Sequence, residues 1–122
     1  RTFVRTGTTR REAVDLNALA HEVAELAKTV ADEERIQIHV DSAPDLPEVM
    51  ADGVQIEQVL VNLIRNALDS MQGSGPGQVW VRTRRSGDAV EVTVEDVGPG
   101  IPEDVREQIF DAFFTTKGEG LG

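Results

Sequence analysis

Residues 52–71 constrain the fold more than any other part of this chain, because their apolar side chains recur at helical spacing. At about 100° per residue, these side chains form one broad face of a helix. The residues on this face are Ile56, Val59, Leu60, Leu63, Ile64, Ala67, Leu68 and Met71. A helix with so wide an apolar face must pack against a second layer of structure. We therefore expect a central helix, with Asp52 as its N-cap.

Shorter patterns place further elements on both sides of this helix. An apolar stripe predicts an earlier helix that runs to about Glu34, with Asp15 as its N-cap. The stripe consists of Leu16, Leu19, Val23, Leu26 and Val30. Strands are predicted at residues 12–16, 36–40, 49–51, 79–81 and 89–94, with a hairpin turn at residues 86–88. Pro102 predicts the start of a short helix that ends near Phe110.

This order of elements, with its late hairpin, favours an α+β fold. We expect a two-layer α/β sandwich in which helices cover one face of a mixed sheet. Residues 1–12 are polar and contain Arg1, Arg5, Arg10 and Arg11, so they are predicted to form a linker. A chain of 122 residues is long enough for one domain, which residues 13–122 would form.

The charge balance and the lack of cysteine exclude several classes of protein. The chain has 12 Lys and Arg residues against 22 Asp and Glu residues, a net charge of −10. So acidic a domain is a poor partner for nucleic acid, whose affinity for proteins comes mainly from Lys and Arg on phosphates. With no Cys, neither a disulfide framework nor a Cys-ligated zinc site is available. No apolar run approaches the roughly 20 residues of a membrane span. We expect a soluble, cytoplasmic domain.

Polar residues form a stripe opposite the apolar face of the central helix. They are Gln58, Asn62, Asn66 and Asp69. One interpretation is a solvated face. The other is a binding site, because Asn is a mediocre helix former and two amide oxygens one turn apart could hold a hydrated Mg²⁺. The stripe alone leaves both interpretations open.

Glycine-rich loops supply the next candidate site residues. Asp96 follows a predicted strand and precedes Gly98 and Gly100, which would let the backbone pass close to a flat ligand. A buried Asp at this point can accept a hydrogen bond from an exocyclic amine, although a plain turn would have the same pattern. Residues 118–122 alternate glycine with other residues and could present N–H groups to phosphates, or form a flexible tail.

Together and in this order, these segments resemble the nucleotide-binding boxes of sensor histidine kinases. Residues 58–67 resemble the N box, residues 95–102 the G1 box, residues 109–117 the F box and residues 118–122 the start of the G2 box. Residues 10–16 are most similar to the rhizobial oxygen-sensor kinases and related soluble, PAS-linked kinases. The resemblance covers nearly the whole chain.

The resemblance implies the Bergerat ATP-binding fold of the GHKL superfamily and a protein-histidine kinase that uses ATP and Mg²⁺. It implies catalytic roles for Asn62 and Asn66, with Asn66 on Mg²⁺ and Asn62 beside the waters of the metal. Asp96 would bind the adenine amine. The implied ATP-binding residues are Asn66, Asp96, Gly98, Gly100, Ile101, Thr116, Lys117, Gly118, Gly120, Leu121 and Gly122. Related ATPases carry Glu at the position of Asn62, so the amide implies poor ATP hydrolysis.

The same resemblance implies partners. The phosphoacceptor His would lie on a separate dimerisation hairpin of the same parent protein, a homodimer, and a response regulator would receive the phosphoryl group. Neither His21 nor His39 fits the acceptor pattern of the family, so none is expected in this chain. Residues 1–12 would mark the exit of the hairpin, and the domain would be truncated in the G2 box, which predicts weak ATP binding. The alternatives are a GHKL-type ATPase and a nucleotide-binding interaction module without kinase activity.

Overall fold

The computed structural model describes residues 2–3, 11–73, 76–97 and 107–115. Two helices and seven strands lie in these ranges. In chain order they are β1 (Thr2–Phe3), β2 (Glu12–Val14), α1 (Leu16–Glu33), β3 (Ile36–Asp41), β4 (Val49–Ala51), α2 (Gly53–Ser70), β5 (Gly77–Ser86), β6 (Ala89–Val97) and β7 (Glu107–Thr115). From β2 to β6 the predicted order is confirmed.

Five of the strands form a mixed sheet in the order β1-β7-β6-β5-β3. Strand β3 runs parallel to β5, and β1 runs parallel to β7, whereas β6 runs antiparallel to both β5 and β7. Strands β2 and β4 form a separate antiparallel pair. The predicted α+β fold with a mixed sheet is therefore confirmed.

Both helices begin where their N-caps were predicted. The Asp15 carboxylate accepts a hydrogen bond from the backbone N–H of Ala18 at 3.1 Å. The Asp52 carboxylate accepts one from Val54 at 2.9 Å. Each cap satisfies a backbone donor that the first helical turn leaves without an intrahelical partner.

The core lies between the helices and one face of the sheet. Along the middle of β5 and along β6 the buried side chains alternate with more accessible ones, as expected for a sheet with one covered face, except at Glu91, which is also buried. The fully buried apolar residues of β5 and β6 are Val79, Val81, Val90, Val92 and Val94, and α2 adds Ile56, Leu60, Ile64 and Ala67. This packing fixes the C-terminal end of α2 against the sheet and so positions the candidate site.

The C-terminal part of the chain corrects one prediction. The helix expected from Pro102 to near Phe110 is wrong over residues 107–110, because β7 spans Glu107–Thr115 and pairs with β6 along its whole length. Pairing satisfies a row of β6 backbone N–H and C=O groups. This benefit comes from residues distant in sequence, so a local helix signal at Pro102 does not reveal it.

The N-terminal segment differs in one detail from the predicted linker. Thr2–Phe3 form the short strand β1, which lies parallel to β7. Its assignment as the exit of a dimerisation hairpin stays a prediction. Within the ranges described above, neither helix is both long enough and apolar enough to cross a bilayer.

Candidate functional site

Asp96 is the charged residue at one end of the covered face of the sheet. It continues the buried side of β6 after Val90, Val92 and Val94, and it is only 1% exposed. A carboxylate taken out of water is costly unless other groups donate hydrogen bonds to it. An acid at this place therefore needs a specific reason.

One hydrogen bond to Asp96 comes from Ser70, the last residue of α2. The Ser70 hydroxyl contacts Oδ2 of Asp96, and the same Oγ lies 2.8 Å from the carbonyl oxygen of Ala67. These contacts join the C-terminal turn of the central helix to the end of β6.

Both asparagines of the polar stripe lie on the exposed side of α2. Gln58, Asn62, Asn66 and Asp69 are all exposed, as the helical spacing predicted. Ser70 follows Asn66 by one helical turn, which places their Cβ atoms about 5–6 Å apart. The structure therefore brings Asn66 and Asp96 to the same end of α2, with Ser70 between them.

An apolar groove lies on the other flank of α2, against α1. Its cavity of about 220 Å³ is lined by Val23, Leu26, Ala27, Val30, Val61, Ile64, Arg65, Leu68 and Asp69. The apolar stripe predicted for α1 is buried at Leu16 and Val23, but Leu26 is 65% exposed and Val30 53% exposed along this groove. Arg65 and Asp69 are the polar members of this lining and the other seven residues are apolar, so the groove offers a nucleotide few donors and acceptors.

The two histidines lie away from Asp96. His39 stacks on Trp80, with ring centroids 4.3 Å apart, and the Arg82 guanidinium lies 4.8 Å from the centre of the same ring. His21 lies exposed on α1. That neither is the phosphoacceptor stays a prediction.

Most of the predicted phosphate-contacting and purine-contacting residues lie outside the described ranges. They are Gly98, Gly100, Ile101, Thr116, Lys117, Gly118, Gly120, Leu121 and Gly122.

Sequence reasoning missed Ser70. The available signal was its position four residues after Asn66, at the end of a helix whose polar stripe had a binding site as one interpretation. The described residues contain no cluster of three or more His, Cys, Asp or Glu side chains that could hold a metal.

Residues 51–122 match the family model described as "Histidine kinase-, DNA gyrase B-, and HSP90-like ATPase". This chain belongs to that family. The match begins at the end of β4 and includes α2 and Asp96, so the helix and the buried acid both lie in the region that defines the family.

Several proteins that this chain is similar to are sensor proteins. The sensor protein FixL of Bradyrhizobium diazoefficiens is 40% identical over 123 residues, which cover 100% of this chain and 24% of FixL. Two further sensor proteins that it matches are covered to 12% and 19% of their lengths. The chain therefore spans a minor part of these relatives.

Solved structures show the same fold. Histidine kinase ThkA in complex with response regulator protein TrrA is similar with a TM-score of 0.62 and 29% identity, over 78% of this chain and 28% of that one. Full-length ShkA in complex with AMPPNP has a TM-score of 0.67 and 30% identity, over 81% of this chain and 21% of that one.

Proposed function

We propose that this chain is the ATP-binding catalytic domain of a two-component sensor histidine kinase. It would transfer the γ-phosphoryl group of ATP to a His on a separate dimerisation hairpin. The observation that carries the proposal is a buried acid, Asp96, held at the end of a helix that presents Asn66 one turn earlier, in a chain of this ATPase family.

Asp96 would recognise the adenine base. An ionised carboxylate has about four lone-pair sites, so it can accept a hydrogen bond from the exocyclic amine of adenine in addition to that from Ser70. Because Asp96 is shielded from water, a base that leaves this acceptor unsatisfied would bind less well. Gly98, Gly100 and Ile101 follow Asp96 directly in the sequence and would shape the purine pocket.

Asn66 would hold Mg²⁺ and Asn62 the waters around it. Both are exposed, and an amide oxygen is a suitable ligand for a cation that keeps several waters and takes other ligands from phosphates. When bound, the ion would neutralise charge on the phosphates. Thr116, Lys117 and the glycine-rich residues Gly118, Gly120, Leu121 and Gly122 would approach the same phosphates.

Asn62 favours phosphoryl transfer over ATP hydrolysis. Its amide is a poor base near neutral pH, so it would not activate a water to attack the γ-phosphorus. Transfer itself would depend on positioning and electrostatic stabilisation. An acceptor side chain brought in line by another domain would then receive the phosphoryl group.

The partners follow from this role. We infer a His-bearing dimerisation hairpin within a homodimeric, cytoplasmically acting parent protein, with residues 1–12 leading from that hairpin into residues 13–122. A response regulator would be the next acceptor. ThkA, a structural relative, is in complex with such a regulator.

The test is phosphoryl transfer from labelled ATP. The intact protein is mixed with Mg²⁺, γ-labelled ATP and the His-bearing hairpin of its own parent protein. The proposal expects label on the hairpin that is acid-labile and base-stable, as a phosphohistidine is. Rapid release of labelled phosphate with no label on any hairpin would instead favour an ATPase.

A further inference from the structure

Strand β3 is one edge of the five-stranded sheet, and its outer side pairs with no other strand of the described ranges. It is in continuous register with β5 from Ile36 to Asp41, so no bulge interrupts it. Its six residues include neither Lys nor Pro, which commonly protect edge strands from further pairing. The edge is therefore open to an added strand.

The backbone groups that point outward from this edge belong to the apolar residues of β3. The Gly77 N–H donates to the Arg35 carbonyl at 3.4 Å, so the Arg35 carbonyl faces β5. The N–H and C=O groups of successive strand residues alternate between the two sides of a strand, so the odd-numbered residues of β3 face β5. The residues whose groups point outward are Ile36, Ile38 and Val40.

The sequence of β3 is self-complementary about Ile38. When two β3 strands pair antiparallel around this residue, Ile36 of one copy lies opposite Val40 of the other, and Ile38 lies opposite its own counterpart. Each of these outward-facing pairs would exchange two N–H···O=C bonds. On the other face of the sheet, Gln37 lies opposite His39. Apolar side chains thus meet apolar ones, and polar side chains meet polar ones.

The charges at the two ends of β3 are complementary in the same register. Arg35 directly precedes the strand and Asp41 ends it, and both are exposed. Antiparallel pairing about Ile38 places Arg35 of one copy opposite Asp41 of the other, at both ends of the contact. Asp41 lies 3.5 Å from Nε of Arg82 in its own chain, and a carboxylate can accept from a second cation as well.

A groove beside this edge leaves room for the side chains of an added strand. Its cavity of about 230 Å³ lies between α1 and β3 and is lined by His21, Ala24, Glu25, Lys28, Ile38 and Val40. Ile38 and Val40 are only partly buried. Apolar side chains of a second strand would remove their remaining exposed surface from water.

We propose that β3 pairs with the β3 of a second copy of this chain, antiparallel and centred on Ile38, so that the two sheets join. This interface goes beyond the proposed function, in which a separate hairpin holds the copies together. A second copy is favoured over an unrelated strand because the apolar, polar and charged positions of β3 all match about one centre. The contact is isologous, as expected for a two-fold dimer.

Cysteine cross-linking of the intact protein tests the register, because the chain has no Cys of its own. Ile38→Cys puts two thiols opposite each other, at a Cα separation of about 5.5 Å that suits a disulfide. Gln37→Cys is the matched control. Gln37 is more exposed, but it lies diagonal to its counterpart at about 7–8 Å, at or beyond the reach of a disulfide. Disulfide-linked dimers of Ile38→Cys should form about tenfold faster than those of Gln37→Cys.

An exchange of charges tests the ends of the contact. In the Ile38→Cys protein, Arg35→Asp places an acid beside Asp41 of the second copy and should slow cross-linking by about fivefold or more. Asp is tolerated at the positive φ of this position, which is 62°. Adding Asp41→Arg exchanges the two charges and should restore the rate. Arg65→Glu, which reverses an exposed charge on α2, should leave the rate unchanged.

Amide hydrogen exchange of the unmodified protein gives a second readout that needs no variant. The amides of Ile38 and Val40 point outward, so they should exchange slowly at high protein concentration, when the edge is paired. Those of Gln37 and His39 face β5 and should exchange slowly at every concentration. Rapid exchange of the two outward amides even at high concentration would overturn the proposal.

The cross-linking outcomes are equally decisive, once thermal unfolding has shown that each variant is folded. Cross-linking of Ile38→Cys no faster than that of Gln37→Cys would overturn the proposal. A rate that Arg35→Asp leaves unchanged, or that Asp41→Arg does not restore, would contradict it as well. Cross-links of Ile38→Cys to other proteins alone would also overturn it, because they would indicate an unrelated strand on this edge.

Discussion

Among the described side chains of β5 and β6, Thr83 and Asp96 are buried polar residues on the covered face of the sheet, and their surroundings differ. Thr83 lies toward one end, where its hydroxyl donates to Oδ1 of Asn17 at 2.6 Å and accepts from the Ala43 N–H at 3.0 Å. Asn17 donates in turn to the Ala43 carbonyl at 2.8 Å. Asp96 lies toward the other end and is a charged acceptor linked to Ser70.

The hydrogen-bond partners of these two buried polar groups indicate their different roles. The Thr83 network is neutral, and its three members satisfy one another, so it ties the start of α1 to the loop after β3 and to β5. The Asp96 carboxylate can accept more than one hydrogen bond, and it contacts the end of the helix that carries the exposed amides. The first arrangement stabilises the fold, and the second suits a ligand. Each of the following variants tests one end.

The largest effect is expected for Asn66→Ala, which should remove phosphoryl transfer while leaving the fold intact. Loss of a metal ligand should lower the transfer rate by more than about 100-fold. Mutation of residues that only hydrogen-bond to a metal ligand already lowers metal affinity or activity by about 10–100-fold. Asn66 is exposed and Ala is the better helix former, so the unfolding midpoint should not fall. The rate of label transfer and the thermal unfolding curve check the two halves of this prediction.

Asp96→Asn should weaken ATP binding through loss of a charge-assisted hydrogen bond. The expected cost in binding free energy is about 1.5–3 kcal/mol. Calorimetric titration with Mg-ATP measures it, with Asp69→Asn as the control, because Asp69 is an exposed acid on α2. Equal losses of ATP affinity in both variants would indicate a general effect of charge. They would contradict the view that the Asp96 end of the sheet binds the ligand.

Unlike Asp96→Asn, Thr83→Val should lower the stability of the fold without changing the affinity for nucleotide. Valine keeps the shape of the side chain but leaves the Ala43 N–H and the Asn17 amide without their partner. The free energy of unfolding should fall by about 1–2 kcal/mol. Denaturant titration measures the loss. A drop in ATP affinity in the folded variant would show that this end also serves the site.

Asp15→Ala should give the smallest effect of the four. It removes the N-cap of α1, two residues before Asn17, and should reduce the free energy of unfolding by about 1 kcal/mol. The same denaturant titration applies, and ATP affinity should stay unchanged. A loss much larger than that of Thr83→Val would mean that the cap, and not the hydrogen-bonded network, holds this end together.

The helices were predictable from the sequence because their signals are local. The caps Asp15 and Asp52 and the apolar face of α2 lie within a few turns of the residues that they order. Strand β7 was not predictable in this way, because its pairing with β6 depends on residues distant in sequence. For the same reason the apolar stripe of α1 could not reveal that Leu26 and Val30 remain exposed.

The candidate site was predictable in part. The sequence separated the exposed amides Asn62 and Asn66 from the apolar face, and it indicated a buried Asp96. The prediction that Asp96 follows the strand is wrong, because β6 runs to Val97 and includes it. The sequence did not indicate that Ser70 would meet Asp96, since that contact depends on how the end of α2 packs against β6. Motif spacing identifies groups on one element, whereas contacts between elements require the fold.

The most direct test of the difference between the two ends is to map the backbone amide signals of the intact protein by nuclear magnetic resonance during titration with Mg-ATP. The account predicts that the signals of Asn62, Asn66, Ser70 and Asp96 shift with saturation, while those of Asn17, Ala43 and Thr83 stay in place. Shifts confined to the Thr83 end, or to the groove between α1 and α2, would contradict it.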